Sequence, residues 1–532
     1  MTTSRIGRRS FIAATALAGI GVPMVEHARA ADAPRRGGTL IGTWGGGEPQ
    51  AMFVPGGGGS SPQMTSAKML ERLVHIDANL NFLPLLSTGI TPAADGRSFT
   101  IAVRPGVTWH DGKPMTAEDV SFTIEQYWKP ISAGLALKAM TGAKATDDHT
   151  VVVTFSQPVP ALTFMSVAAS EVILPKHVYA GTDIRTNPAN INPIGTGPWK
   201  LKEWVRGSYA EFSRNESYWI PEQPYMDKLV IRWWGEPAAR AAAFQAGELH
   251  IGLYNPIPIA EMRRLQKAGK IAVQQAGPED GTGTTSLEFN MRNPILSKRE
   301  VRQALLHAID KQFIADTVYF GNARPAIGAI PSTNKLFFTA DVPQYDFDPK
   351  KAMALLDAAG YPMKDGKRFG VNLLAAGWFA ENTKTGPYIK QALGDVGLEV
   401  NLTVPDRPTS LKRIYTDYDY DIAISNQAMT VEPVPGITQY YTTDGILKGA
   451  PFRNANGYSN PVMDALVAQM AVEIDPVKRK DLVVQFQRLV MTDVPLVQLV
   501  EIVSNTVMAP NLRSAATGTL QFIDTWGSLY FA

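Results

Sequence analysis

Not one of the 532 residues is a cysteine. Disulfides, thiolate metal sites, iron–sulfur clusters and cysteine nucleophiles are therefore excluded together. Buried apolar surface must hold such a chain together unaided. The N-terminus sharpens that constraint. Arg5, Arg8 and Arg9 precede an apolar run from Phe11 to Val25, and Ala28-Arg29-Ala30 is a small-x-small cleavage site, the layout of a secretory leader. Arg8-Arg9-Ser10-Phe11 has the paired arginines of a twin-arginine export signal, which is an address and not an anchor. An ordinary Sec signal that happens to carry Arg-Arg is the alternative. Pro23 breaks the apolar run, which falls short of the ~20 residues needed to cross a bilayer. No cysteine follows to carry a lipid. The expectation is a mature protein free in the periplasm, cleaved near Ala30, and folded without a bridge in an oxidising compartment. Roughly 500 mature residues suffice for that, and they exceed what one core serves, so two or three domains are expected.

The whole chain has 51 Lys+Arg and 49 Asp+Glu. Removing residues 1 to 30 takes away Arg5, Arg8, Arg9, Arg29 and Glu26, which leaves 47 against 48. A near-neutral mature chain gives no support to nucleic-acid or membrane-surface binding, which needs a basic excess.

Gly38 to Trp44 reads as a short strand, followed by the glycine-rich stretches Gly45-Gly46-Gly47 and Pro55 to Ser61. Such glycines serve positive φ or close backbone approach, or simply a surface loop. Residues 98 to 103 alternate, with Phe99, Ile101 and Val103 on one face, as in a half-buried strand. Thr116 with Asp119 resembles a capping box, and Val120, Ile124 and Tyr127 continue the helix as an apolar stripe. Thr150 to Phe155 and Lys228 to Trp234 read as strands, the latter with Leu229, Ile231 and Trp233 sharing a face. From residue 297 the texture turns helical. Ser297 and Glu300 form a second capping box ahead of Val301, Ala304, Leu305, Ala308 and Ile309. Asp348-Pro349, Asn460-Pro461 and Asp475-Pro476 start three further helices, the side chain capping free amides and the proline losing no bond. Gly360 ends the first of these. With strands between, such as Val371 to Ala375 and Asp421 to Ser425, the pattern predicts two α/β lobes.

A catalytic site is hard to find. The mature chain has no Gly-x-Ser-x-Gly elbow, no His-Glu-x-x-His helix, no Gly-x-Gly-x-x-Gly and no phosphate loop. Gly281-Thr282-Gly283-Thr284 lacks the final glycine and precedes a strand-like run. The mature histidines, His75, His110, His149, His177, His250 and His307, are too scattered for a local metal motif. Trp109-His110-Asp111-Gly112 suggests a His–Asp pair, but strand neighbours point to opposite faces and Asp-Gly marks a turn. The expectation is no catalytic residue, no metal and no cofactor. An exported hydrolase or sugar-acting enzyme using cleft carboxylates is the competing reading, because carboxylate spacing is three-dimensional.

Several segments in order carry a resemblance. Met69-Leu70-Glu71-Arg72-Leu73-Val74, Asp95 to Ile101, Val103 to Gly112 and Thr116 to Val120 come first. Gly195-Thr196-Gly197-Pro198-Trp199 follows, then Asn215 with Tyr218-Trp219, Phe289-Asn290, Val301-Arg302-Gln303-Ala304, Ala308-Ile309-Asp310 and the Asp348-Pro349 helix ending in Ala359-Gly360-Tyr361. Together they are similar to the family 5 extracellular solute-binding proteins of peptide and nickel ABC importers. The resemblance implies a two-lobe periplasmic binding protein fold with mixed sheets and a hinge. Residues 31–283 would form the first lobe, with an inserted second domain at about 60–190. Residues 284–505 would form the second lobe, and 506–532 a tail returning to the first. It also implies a monomer without enzymatic activity that encloses a ligand, with membrane permease subunits as its partner.

The glycines and proline of the Gly195 motif are expected to shape backbone. Ligand contacts are expected in the poorly matched segments. The candidates are Trp44 after the first strand, Trp378 and Phe379 after the strand Val371 to Ala375, Asn426 and Glu432 after Asp421 to Ser425, and Tyr440 and Tyr441 beyond that loop. Aromatic walls with a few placed polar groups suit such a site, although each tryptophan would equally suit a core. Glu432-Pro433 stands near where peptide-binding members carry an Asp-Pro whose carboxylate takes the peptide ammonium. Here the acid is one methylene longer. The ligand stays open among peptides, sugars, opine-like conjugates and metal chelates.

Overall fold

The computed structural model describes residues 34–45, 47–57, 60–77, 79–277, 282–429, 431–515 and 523–532. The leader, Gly46 and Gly281 lie outside them. The chain lays down β1 (Thr39–Trp44) and leaves for four strands, β2 (Ser87–Pro92), β3 (Ser98–Val103), β4 (Met140–Asp147) and β5 (Thr150–Phe155). It returns with β6 (Trp199–Val205), β7 (Tyr209–Arg214), β8 (Lys228–Arg232), β9 (Ile251–Leu253) and β10 (Ala272–Gln275). It then crosses to build β11 (Thr282–Phe289), β12 (Ala323–Pro325), β13 (Gly370–Ala375), β14 (Glu399–Thr403), β15 (Ile422–Met429) and β16 (Leu496–Ile502), and re-crosses for β17 (Asn505–Met508).

These strands form the three larger sheets: β10-β17-β9-β1-β8-β7-β6 in the first lobe, β2-β3-β5-β4 in the insertion, and β12-β16-β11-β15-β13-β14 in the second lobe. In the first lobe β1 runs parallel to β8 and β9. In the second, β13 runs parallel to β14 and β15. Each sheet has its own buried cluster, so apolar packing carries the fold that cysteine cannot.

Local signals set many helix starts. The Thr116 amide donates to Asp119 Oδ2 at 3.0 Å, opening α1 (Ala117–Thr123). In the insertion α2 (Ala161–Ser170) follows Pro160. The second capping box did not form. The next helix, α3 (Arg299–His307), has Lys298 at its N-cap, and the Ser297 hydroxyl donates to Pro294 O instead. Asn293 takes the first amides, those of Ile295 and Leu296, so the serine is left inside a turn. Asp348 caps α4 (Pro349–Ala358), Asn460 caps α6 (Pro461–Val472) and Asp475 caps α7 (Pro476–Asp493), each accepting from an amide of the first turn; between them lies α5 (Ala380–Asp395). The strand expected to reach Trp234 stops at Arg232, leaving Trp233 past the ladder.

The matched motifs meet at one junction. Glu71, 1% exposed, accepts from Tyr218 Oη at 2.7 Å, Thr196 Oγ1 at 2.9 Å and Trp219 Nε1 at 2.9 Å. Burial pushes its carboxyl up to about 7 against the pull of those donors. The Gly197 amide donates to Met69 O at 2.8 Å, and Trp199 Nε1 donates to Thr525 O at 2.9 Å in the tail. The Lys68 ammonium reaches Asp524 O and lies 3.9 Å from the Trp526 ring. Insertion entry and exit are thus tied at a single carboxylate, and Lys68 and Trp199 beside it hold the C-terminal tail.

A second buried acid, Glu288 on β11, accepts from Asn456 Nδ2 at 3.2 Å. Burial pushes it from 4.5 to about 7 while Asn456, Tyr420 and Arg292 pull down. A raised carboxyl holds its proton in the fold after the unfolded chain has lost it, so its contribution is lost as pH rises through that window. Glu288→Gln, which keeps the neutral shape, is expected to melt near the parent at pH 5 and above it at pH 8. Calorimetry at the two pH values measures this.

Candidate functional site

Two strands of chain cross between the lobes, and side-chain amides lock them. Asn255 N donates to Asn505 O at 3.0 Å, and Asn505 returns bonds to Asn255 Oδ1 from its own amide at 3.0 Å and from Nδ2 at 2.8 Å. The same Nδ2 reaches Asn322 Oδ1 of the second lobe at 3.3 Å. Val503 N donates to Asn322 O and Ala276 N to Ser504 O, both at 2.9 Å. At this hinge the first-lobe strands β1 and β9 present their carboxyl ends, as do β13, β15 and β16 of the second. Carboxyl ends of parallel strands are where open α/β sheets take ligands.

Several candidates gather there. Trp378 Nε1 donates to Asn426 Oδ1 at 3.1 Å, so the structure joins two residues 48 positions apart. Asn382 Nδ2 donates to the same oxygen at 2.6 Å, and Asn426 Nδ2 donates to Thr285 Oγ1 at 3.1 Å. Asn426 was expected beyond the strand, but β15 runs on to Met429 because the whole of β11 pairs with it. Asn426 therefore sits in the ladder opposite Thr285 and orients the indole. Phe379, at the N-cap of α5, is 55% exposed. Trp44 ends β1 but is 1% exposed; its Nε1 donates to Gly47 O and Ser61 Oγ, and its ring meets Trp233 edge-on. Tyr440 and Tyr441 pack into a second-lobe cluster with Phe486, and Tyr441 Oη donates to Leu496 O at 3.2 Å.

Sequence reasoning passed over Tyr254 of the first lobe and Phe320 of the second, 41% and 51% exposed. Both hold positive φ, and Arg263 of the first lobe donates to Phe320 O at 2.6 Å. The asparagines close behind them, Asn255 and Asn322, were the available signal. Glu501 was passed over as well, although it is the one charge in the apolar run Leu496 to Ile502.

The family model of the bacterial extracellular solute-binding proteins, family 5 middle, matches residues 81–447. The chain belongs to that family. Among its relatives, the glutathione-binding protein GsiB of Pectobacterium atrosepticum is 25% identical over 458 residues, covering 83% of this chain and 84% of that one. The oligopeptide-binding protein AppA of Bacillus subtilis is 26% identical, covering 68% of each. The crystal structure of the ABC transporter substrate-binding protein CtaP from Listeria monocytogenes superposes with a TM-score of 0.81 at 26% identity, over 93% of this chain and all of that one. This family 5 chain is thus a two-lobe solute-binding protein of the kind that serves ABC importers.

Within that family 5 frame, Glu432 has company. Arg479 donates to its two oxygens at 2.7 and 2.9 Å, a two-point pair with both side chains 3% exposed. Val434 N donates to Oε1 at 2.9 Å. Thr163 of α2 donates to Oε2 at 3.3 Å and accepts from Arg479 at 3.3 Å, so the first lobe closes over a pair completed in the second. Leu162 packs beside it, and Ile474 of the second lobe lies against Gly96 of the insertion.

The expected turn at Trp109–Gly112 is present, closed by Gly112 N to Trp109 O at 2.8 Å with Gly112 at φ +87°. His110 turns to Gly195 and Gly197, while Asp111 Oδ2 meets His177 Nε2 at 2.7 Å. Burial lowers His110 to about 4. Among the described residues no group of His, Asp and Glu could hold a metal ion, and no helix is long and apolar enough to cross a membrane.

Proposed function

We propose that this protein binds a peptide or a similarly small solute at the hinge-side ends of its sheets and carries it, as an exported monomer with its leader removed near Ala30, to inner-membrane permease subunits. The observation that carries this reading is Trp378 on its Asn426 and Asn382 mount after β13, together with exposed rings on segments of both lobes next to the crossing asparagines or at the start of α5, Tyr254, Phe320 and Phe379. Aromatic faces beside fixed amides give apolar contact and orientation at once. The relatives named as glutathione-binding and oligopeptide-binding proteins agree with a solute of this size. Ligand touching both lobes favours the shut form by its differential contacts alone.

Thermal shift with glutathione, trialanine and a hexapeptide tests the reading, since a ligand of the native state raises the melting temperature by mass action. X-ray scattering on the best binder is expected to show contraction, and mass spectrometry the solute unchanged. A consumed solute, or an invariant shape, overturns the proposal. Asn426→Ala frees the indole from its mount and is expected to weaken binding by about tenfold, the worth of one lost hydrogen bond.

A further inference from the structure

The hinge-side edge of the second-lobe sheet carries buried polar groups that its packing does not use up. Thr284 of β11 stands directly across from Gln427 of β15 on one side and Glu501 of β16 on the other. Cross-strand neighbours share a face, so the short threonine stands between two long polar side chains, a notch about 10 Å wide between their Cα positions. Gln498 joins from the same face, its Oε1 accepting from Thr284 Oγ1 at 3.2 Å. All four side chains are buried.

Their bonding is incomplete in a patterned way. Glu501 accepts the Ser332 amide at 2.7 Å on one oxygen and the Ser332 hydroxyl at 2.6 Å on the other. It forms no ion pair among the described residues. Arg324, opposite it on the β12–β16 ladder, is exposed and forms none either. Each carboxylate oxygen thus keeps acceptor capacity. Among the described residues, Gln427 Oε1 and Gln498 Nε2 are buried without a hydrogen-bond partner, one an acceptor and the other a donor. Unmatched buried groups of this kind are costly and call for a partner.

We propose that this notch is the subsite for a primary ammonium group flanked by a carbonyl or carboxylate oxygen, as at the free amino end of a peptide or amino acid. Glu501 takes the ammonium, Gln427 Oε1 accepts a further N–H, and Gln498 Nε2 donates to the neighbouring oxygen. An ammonium brings three donors and no acceptor, which fits two carboxylate oxygens and an amide oxygen. The assignment rests on the solute-binding reading and names the chemistry of one end of its cargo. It also moves the cation-binding role from Glu432, whose oxygens Arg479 holds, to Glu501.

The test compares trialanine, glutathione and glycinamide with their N-acetyl forms by titration calorimetry. At least one free amine is expected to bind the parent, and its acetylated form to lose binding. Glu501→Gln is expected to weaken that amine roughly 10- to 100-fold, the value of a charge-assisted bond, while melting no lower than the parent without ligand. Gln498→Leu removes the oxygen contact, along with the bond from Thr284, and is expected to keep the preference for free over acetylated amine with lower affinity. Equal binding of free and acetylated compounds overturns the proposal, as do a Glu501→Gln variant that binds like the parent, one that melts lower, and a parent that binds none of the three amines. Native mass spectrometry of the purified protein separates the two levels: a bound cargo lacking an amine sinks this subsite alone, whereas no cargo and no binding sink the carrier reading too.

Discussion

Gly195→Ala is expected to abolish the soluble fold. A Cβ there would lie 1.8 Å from Met69 O and 2.5 Å from Met69 C, both backbone atoms that cannot rotate away. Gly197 is similarly placed, at 2.7 Å from Met69 O and 2.9 Å from Lys68 O. Relief requires parting Met69 to Arg72 from the Gly195 segment, which breaks the three bonds at Glu71. A loss on the order of 4 kcal/mol or more belongs to this class of backbone collision plus an orphaned buried charge. Gly235→Ala is the control, since nothing lies within 4 Å of its added Cβ and its φ is ordinary; it should stay within about 0.5 kcal/mol of the parent. Soluble yield and calorimetry distinguish the two outcomes, and a Gly195→Ala protein that melts like the parent would refute the steric argument.

Glu432→Gln should damage the fold before it damages binding. Breaking a buried pair from one side leaves an uncompensated charge, here Arg479, at a cost of about 3–5 kcal/mol. The sequence offered Glu432 only as a candidate ligand contact; the two-point pair makes stability the first property to suffer. Replacing both partners, as Glu432→Met with Arg479→Met, should recover most of the loss, because apolar side chains of similar size often serve as well as a buried pair. Denaturant melts of the single and double variants in a mutant cycle measure this. A single variant as stable as the parent would return Glu432 to the list of ligand anchors.

How much of this was legible depended on the distance over which each signal acts. The Asp and Asn caps before Pro349, Pro461 and Pro476 act within one helical turn, and the chain shows them directly. Strand β3 announces itself through Phe99, Ile101 and Val103. The Gly195 motif stood out because two backbones meet there without room for a methyl group, a demand that only one residue type meets. Site chemistry lacks such economy of signal. An acid after a strand looks the same whether its partner is a solute or an arginine 47 residues on, and only the fold brings Arg479 back to Glu432. Trp378 and Asn426 were each guessable as edge residues, yet their bond depends on how far β15 pairs with β11. Tyr441 sits beside the same loop and faces Phe486, because the α6–α7 pair covers that flank.

The seam at Thr163 has a consequence for operating conditions. Both ions beneath it belong to one jaw, so parting the jaws exchanges a hydroxyl for water and never pulls plus from minus. Dissolved electrolyte weakens attraction between separated charges, whereas Thr163 brings a neutral hydroxyl to this pair. Shutting should therefore respond to cargo and hardly to brine, a useful indifference for a receptor whose surroundings set their own salinity.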